Sequence, residues 1–266
     1  MIHVLALTLS LAAKSDVKLY VLDGGRAILK QTALLNDIAE PTPSPVELSD
    51  PCFLIKHGSQ WMLWDTGLPD SLIGHPQRGP MIDLEKTASM AGQLKRLGLQ
   101  PSQIGYVAFS HLHYDHAGTA NLFPKATWIL SRHELSHALE SPSPISVVPG
   151  LFSAYKKAKK QFIDGDYDVF GDGTVQMLST PGHTPGHMCL LLRLAHSGNV
   201  ILSGDLFHQR IGAERGWVAT VNDDRAQTLA SIARIKTMMK NLPAKLIIQH
   251  DPEDYRALPK LPGFLD

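Results

Sequence analysis

Two cysteines in 266 residues cannot build a disulfide framework. Cys52 and Cys189 both sit inside apolar runs, Cys-Phe-Leu-Ile and Met-Cys-Leu-Leu-Leu, the setting of reduced, buried thiols rather than of metal ligands. An excess of either charge is missing too. Lys+Arg and Asp+Glu stand at 25 each, so nothing in the overall charge favours nucleic acid, an anionic membrane or a polyanionic substrate. No apolar run reaches the roughly 20 residues that a membrane span needs. Internal repeats and linker-like stretches are also absent, so the chain reads as one domain, and its 44% hydrophobic content can bury most of the surface that the unfolded form exposes.

The start of the chain carries a separate signal. Val4 to Ala13 has the length and apolarity of the core of a signal peptide, and Ser10-Leu11-Ala12 offers small residues for cleavage, although no Lys or Arg precedes it. Residues 1–13 are therefore expected to be a signal peptide, leaving 14–266 as a periplasmic or secreted domain. The alternative is a buried first strand in a cytoplasmic protein.

What the chain does have is histidine, concentrated in Ser110-His111-Leu112-His113-Tyr114-Asp115-His116-Ala117-Gly118. Four candidate ligands fall within six residues, just after the apolar run Tyr106-Val107-Ala108-Phe109. Neutral imidazole and carboxylate suit a borderline divalent cation such as zinc, and four of them on one turn can address two adjacent ions. A solvated polar turn is the bland alternative, and this spacing argues against it.

Apolar runs bounded by turn residues predict strands at Val17–Leu22, Cys52–His57, Trp61–Asp65, Thr127–Leu130, Val175–Leu178, Met188–Leu194, Asn199–Leu202 and Leu246–Ile248, the second and third forming a hairpin about Gly58-Ser59. Gly24-Gly25 breaks the first pattern, and the proline-dense residues 26–50 read as irregular. Leu84, Ala88, Ala91 and Leu94, with Gly98 beyond, predict a helix over 84–97; helices are also expected from Ala117 to Leu122, over Arg132–Leu139, and over Asp223–Met239 behind an Asn222-Asp223 cap. Lys156, Lys157, Lys159 and Lys160 read as a solvated helical face. Trp61, Met62 and Trp64 read as hairpin core, and His133 and His137 as surface. Runs of strands with helices between them fit a single α+β domain of layered sheets and helices.

Three later residues each follow a strand-like run: His183 in Thr180-Pro181-Gly182-His183-Thr184-Pro185-Gly186-His187, Asp205 in Ser203-Gly204-Asp205, and His250 after Ile247-Ile248-Gln249. Alone, each would be ordinary. Together with the histidine-rich turn they resemble the metallo-β-lactamase superfamily, whose pattern is His-x-His-x-Asp-His, a His in a Gly-His turn, a bridging Asp and a C-terminal His. The resemblance runs from Val17 to the C-terminus. It implies the four-layer αββα sandwich and a pair of divalent ions, zinc first among them. It further implies that His111, His113 and His183 hold one ion, Asp115, His116 and His250 the other, and that Asp205 bridges them.

Within the superfamily, the two histidine segments, the 22-residue step from His183 to Asp205 and the run from His250-Asp251 to Pro262 look most like the N-acyl homoserine lactonases. One position departs: the best-known members of that family carry tyrosine three residues after the bridging Asp, and here His208 stands in Asp205-Leu206-Phe207-His208. The resemblance implies opening of a small-molecule lactone by a hydroxide held between the ions, with Asp115 and Asp205 in the catalytic site and His208 as the candidate oxyanion donor. Asp65 is expected either to orient a ligand or to cap its turn, His187 to be structural, and residues 26–50 and 141–160 to form the acyl groove. The rival reading is a hydrolase of the same fold acting on an organophosphate or aryl ester.

Overall fold

The computed structural model describes residues 16–40 and 44–266, so the apolar run at 4–13 lies outside the described residues. Nine strands form one sheet, ordered Gln77–Arg78, Ile82–Glu85, Val17–Leu29, Val46–His57, Gln60–Trp64, Tyr106–Ala108, Thr127–Ser131 and Lys159–Ile163, with Phe264–Leu265 also paired to Val17–Leu29. A second sheet orders Ala244–Ile247, Gly198–Leu202, Met188–Leu194, Val175–Ser179 and Tyr167–Asp168.

Side-chain alternation explains why these strands stack. Along Met188–Leu194, residues 188, 190, 192 and 194 enter the same cluster as Phe53, Ile55, Met62 and Trp64 of the first sheet, so the main core lies between the sheets. Cys189 and Leu191 point the other way, onto Ile232 and Ile235 of the helix Arg225–Asn241. On the far side of the first sheet, Leu54, Leu63 and Val107 meet Met90 and Leu94 of the helix Met90–Arg96, and Leu135 of the helix Arg132–Ala138. Apolar residues on both faces make these strands continuous hydrophobic runs, each fully buried Leu or Ile contributing roughly 1.5–3 kcal/mol of transfer free energy. The layers are helix, sheet, sheet, helix, as expected.

Several local expectations need correction. Among the described residues of 26–50 the middle is loop-rich as expected, with one 3-10 turn at Thr32–Leu35, but both ends are strand. The first strand continues through Gly24-Gly25 to Leu29 across a register shift between Asp23 and Arg26, and Val46–His57 includes Pro51. Gly25 can sit in the strand because its φ of 125° suits glycine alone. Leu84 belongs to a strand paired with Ala27, and the helix begins only at Met90 behind the Ser89 cap, whose side chain accepts from the Gly92 N–H. The helical start at Ala117 is confined to one 3-10 turn, Ala120–Leu122. Lys159 and Lys160 stand on the edge strand Lys159–Ile163, not on a helix; lysines there discourage pairing with another chain. The long helix is capped by Asp224, one residue later than expected, its side chain accepting from Gln227 N. Two short helices, Arg210–Arg215 and Pro252–Ala257, had no periodic signal because each spans fewer than two turns.

Candidate metal centre

The residues of interest gather at one edge of the sandwich because parallel strands end there together. Gln60–Trp64 pairs in parallel with Tyr106–Ala108, so Asp65 arrives beside the turn that follows Ala108, and the Asp65 N–H donates to the Ala108 carbonyl at 2.9 Å. Gly198–Leu202 pairs in parallel with Ala244–Ile247, which delivers Asp205 and His250 side by side. The turn between Val175–Ser179 and Met188–Leu194 brings His183. Crevices at the carboxyl ends of parallel strands are where layered α/β folds place their ligands.

At this edge the seven expected ligands form two adjoining groups, His111, His113, His183 and Asp205 in one and Asp115, His116 and His250 in the other, with candidate ligand atoms inside each group within 4.8 Å of one another. The two carboxylate oxygens of Asp205 face opposite groups. Oδ1 lies 2.9 Å from His250 Nε2 and 3.0 Å from His116 Nε2. Oδ2 lies 3.3 Å from His183 Nε2, 3.8 Å from His111 Nε2 and 3.2 Å from His208 Nε2. Asp115, at 4.0 Å from His250 Nε2 and 23% exposed, is the most open of the seven.

The surrounding hydrogen bonds decide which ring nitrogens face inward. His250 Nδ1 lies 2.7 Å from the Ser49 carbonyl, which only accepts, so Nδ1 carries the proton and Nε2 is turned to Asp205. His116 Nδ1 lies 3.0 Å from Asp65 Oδ2, with the same result. Asp65 does more than cap its turn: it also accepts from Ser110 N at 2.7 Å, Ser110 Oγ at 2.8 Å and Gln249 Nε2 at 2.9 Å. Two inward nitrogens, His116 Nε2 and His250 Nε2, stand 3.3 Å apart, and His111 Nε2 is buried with no hydrogen-bond partner. Acceptor atoms converging this closely need cations among them, and His and carboxylate donors fit divalent metal.

Charge divides the two groups. Burial holds the His111 and His113 imidazoles well below their usual range, with neighbouring histidines pushing the same way. For His250, burial pulls downward but the Asp205 carboxylate outweighs it, lifting the ring to about 9. His116 is likewise raised against its burial, by Asp205 and Asp65. Burial would raise Asp205, yet His250, His116 and His208 drive it well below the carboxylate range.

His187 is part of the scaffold. Its Nδ1 meets the Thr180 carbonyl at 3.1 Å and its Nε2 accepts from the Asp205 N–H at 2.9 Å, so the ring is neutral and holds the backbone of Asp205 in place. Burial pushes its pKa down to about 3. The close approach requires Gly204: with φ at 50°, an added Cβ would stand 2.6 Å from His187 Nε2.

Sequence reasoning missed Glu134. Almost fully buried, it accepts from Leu112 N at 2.8 Å, Thr184 Oγ1 at 2.6 Å and Gly186 N at 3.2 Å, tying the His111–His116 turn to the His183 turn. Its position alongside Leu135 and Ala138 on the buried face of its helix was the available signal. Asp50 was also missed: buried, it accepts from Leu68 N at 3.0 Å, and burial followed by the Asp115 charge raises its carboxyl to about 7. His133 is exposed and His137 pairs with Asp223 at 2.9 Å, and neither joins the metal groups. Met62 and Trp64 are fully buried, as hairpin core should be, while Trp61 is partly buried and packs on Tyr20.

A cavity of about 490 Å³ opens from the centre. Its polar end holds His113, Asp115, His183, Asp205, His208 and His250, and its walls are aliphatic, with Leu29, Leu34, Leu35 and Leu48 from the 26–50 stretch and Ile145 from the 141–160 stretch.

The family model of the metallo-beta-lactamase superfamily matches residues 47–250. The chain is 32% identical over 267 residues to the N-acyl homoserine lactonase AttM of Rhizobium radiobacter, covering 94% of this chain and 99% of that protein. It is 30% identical over 259 residues to the N-acyl homoserine lactonase AiiA of Bacillus thuringiensis subsp. kurstaki, covering 93% and 98%. A solved N-acyl homoserine lactone hydrolase with the product N-hexanoyl-L-homoserine bound at its catalytic metal center superposes with a TM-score of 0.82 at 27% identity, covering 95% of this chain and 100% of that one. Fold, ligand geometry and these likenesses agree: the chain belongs to the metallo-beta-lactamase superfamily and within it resembles the N-acyl homoserine lactonases.

Proposed function

We propose that this protein opens the lactone ring of N-acyl homoserine lactones, using two divalent ions, zinc in the first instance. His111, His113 and His183 would hold one ion, Asp115, His116 and His250 the other, with Asp205 spanning both. The observation that carries this reading is the division of Asp205, each of whose oxygens faces a different ligand group. When bound, such a pair of ions supplies Lewis acidity and lowers the pKa of water, so no serine or cysteine nucleophile is required.

The chain's own residues supply the rest. Asp65 and the Ser49 carbonyl hold His116 and His250 in the tautomer that points Nε2 inward. His208 lines the cavity with Nε2 beside Asp205, and burial lowers its pKa despite that carboxylate; the single N–H of the neutral ring faces Asp205 and would pass to the substrate once the ions engage that carboxylate, without adding charge. The acyl chain runs along the leucine wall toward Met81 and Ile145, which are 47% and 76% exposed at the rim of the cavity. At about 0.8 kcal/mol per buried methylene, each carbon added along that wall should raise kcat/KM about fourfold until the chain passes the rim.

The decisive experiment is a panel of homoserine lactones of increasing acyl length, run beside aryl and organophosphate triesters on protein whose metal content has been measured. Two metal ions per chain and preferential lactone turnover are expected. Ester turnover without lactone turnover in the metal-loaded protein would move the assignment to the rival reading.

A further inference from the structure

Tyr114 stands between two candidate ligands, His113 and Asp115, and takes no part in holding metal. Its backbone is fixed, because its N–H donates to the Ser146 carbonyl at 2.9 Å. Its ring packs against the cluster of Leu68, Leu72 and Leu84, and the residue lines the cavity together with Leu68 and Leu84 of that cluster and with its polar chain neighbours His113 and Asp115. Its hydroxyl makes no hydrogen bond to any of the described residues. A tyrosine whose ring is packed ordinarily finds a partner for its hydroxyl, and one without such a partner at a cavity wall offers a donor to whatever enters.

We propose that Tyr114 is a specificity-determining residue, its hydroxyl donating a hydrogen bond to the carbonyl of the substrate's acyl amide. This rests on the lactonase reading above. The assignment to the amide follows from place. In an N-acyl homoserine lactone the amide is the polar group between the ring, which belongs at the metal centre, and the acyl chain, which belongs on the leucine wall. Tyr114 adjoins both kinds of surface, with Leu68 and Leu84 against its ring and His113 and Asp115 on either side of it in the chain. A phenol keeps its proton across the physiological range and donates one hydrogen bond, whereas phenylalanine keeps the ring and its packing but loses the donor.

The test is Tyr114→Phe in the metal-loaded protein with two substrates of matched chain length: an N-acyl homoserine lactone, and a γ-butyrolactone bearing an alkyl chain in place of the acyl amide. The variant should lose about ten- to a hundredfold in kcat/KM on the amide substrate and change less than about twofold on the alkyl lactone. Calorimetry with the ring-opened N-acyl homoserine, which keeps the amide, should show about tenfold weaker binding by the variant, with Tm and metal content unchanged. Equal losses on both substrates would place the hydroxyl at the lactone carbonyl and overturn the amide assignment; no loss on either, with product affinity unaltered, would overturn any substrate contact by Tyr114. Absence of lactone turnover by the unaltered protein would instead remove the lactonase reading, and this inference with it.

Discussion

The two halves of the metal centre use the same residue type and tune it in opposite directions. On the three-histidine side, His111 and His113 are held neutral by burial. Opposite them, His116 and His250 are just as buried, yet the carboxylates of Asp205, Asp65 and Asp115 keep them protonated. Burial alone therefore does not decide the state of these histidines: both His116 and His250 stand about 3 Å from Asp205 Oδ1, with Asp65 on the far side of His116, and those charges outweigh it. Without metal, the first side presents ready nitrogen donors and the second holds protons in the place of a cation, so the two sides should differ in how they take up metal.

The substitution that removes the contrast altogether is Asp205→Asn, which takes away the charge shared by both groups. Turnover should fall by on the order of 10³ or more, with metal content below two per chain; normal activity and full metal content would refute a bridging role.

Acid should separate the halves. Cation binding at Asp115, His116 and His250 must displace protons held by groups whose pKa is raised, His250 to about 9, so affinity on that side falls as pH drops below that value. The loss should be about tenfold per pH unit for each competing proton, about a hundredfold per proton between pH 8 and pH 6. The opposite side, where burial already holds His111 and His113 neutral, should lose less over that interval. A pH series of metal titrations that weakened both sites in parallel would break the comparison.

Asp65→Asn should act chiefly on one half, because Asp65 meets His116 directly and reaches His111 only through Ser110 Oγ. A loss of about 10- to 100-fold in affinity is expected at the second site, with a smaller loss at the first. Spectroscopy of cobalt-substituted protein would resolve the two sites.

The smallest effect belongs to Asp50, on the carboxylate-rich side. Its folded pKa of about 7 lies above the unfolded value of about 3.9, so the native state binds this proton more tightly. Stability of the metal-free protein should accordingly fall as pH rises from about 4 to 7. Asp50→Asn should flatten that decline and gain about 1 kcal/mol at neutral pH, some 2–4 °C in Tm. An unchanged pH profile would show that Asp50 does not bind the proton.

Much of this site was legible in the sequence because a short turn carries so much of it. His111, His113, Asp115 and His116 lie within six residues, and their spacing needs no tertiary information to be recognised. Strands buried on both faces, such as Met188–Leu194, were legible for a similar reason, since a short continuous apolar run bounded by turn residues is itself a local signal. The flanks of the 26–50 stretch misled because Gly24-Gly25 and Pro51 read as breakers, whereas a register shift and strand pairing absorbed them. Glu134 resembled a solvated helix residue, since the groups that use its carboxylate lie 22 to 52 positions away.

By itself, then, the sequence determined the histidine-rich turn and the succession of strands and helices, which follow from local spacing and periodicity, while the later ligands and the αββα layering came from the resemblance. Only the tertiary structure decided which imidazoles carry protons, which tautomers face inward and which hydroxyl is left for a substrate. Those properties depend on groups brought together across the chain, as when Ser49 meets His250 across 201 positions, and on distances of about 3 Å that no periodicity encodes. A charge interaction changes steeply over such distances in a buried site, so the chemistry of each histidine was settled by its neighbours in space rather than in sequence.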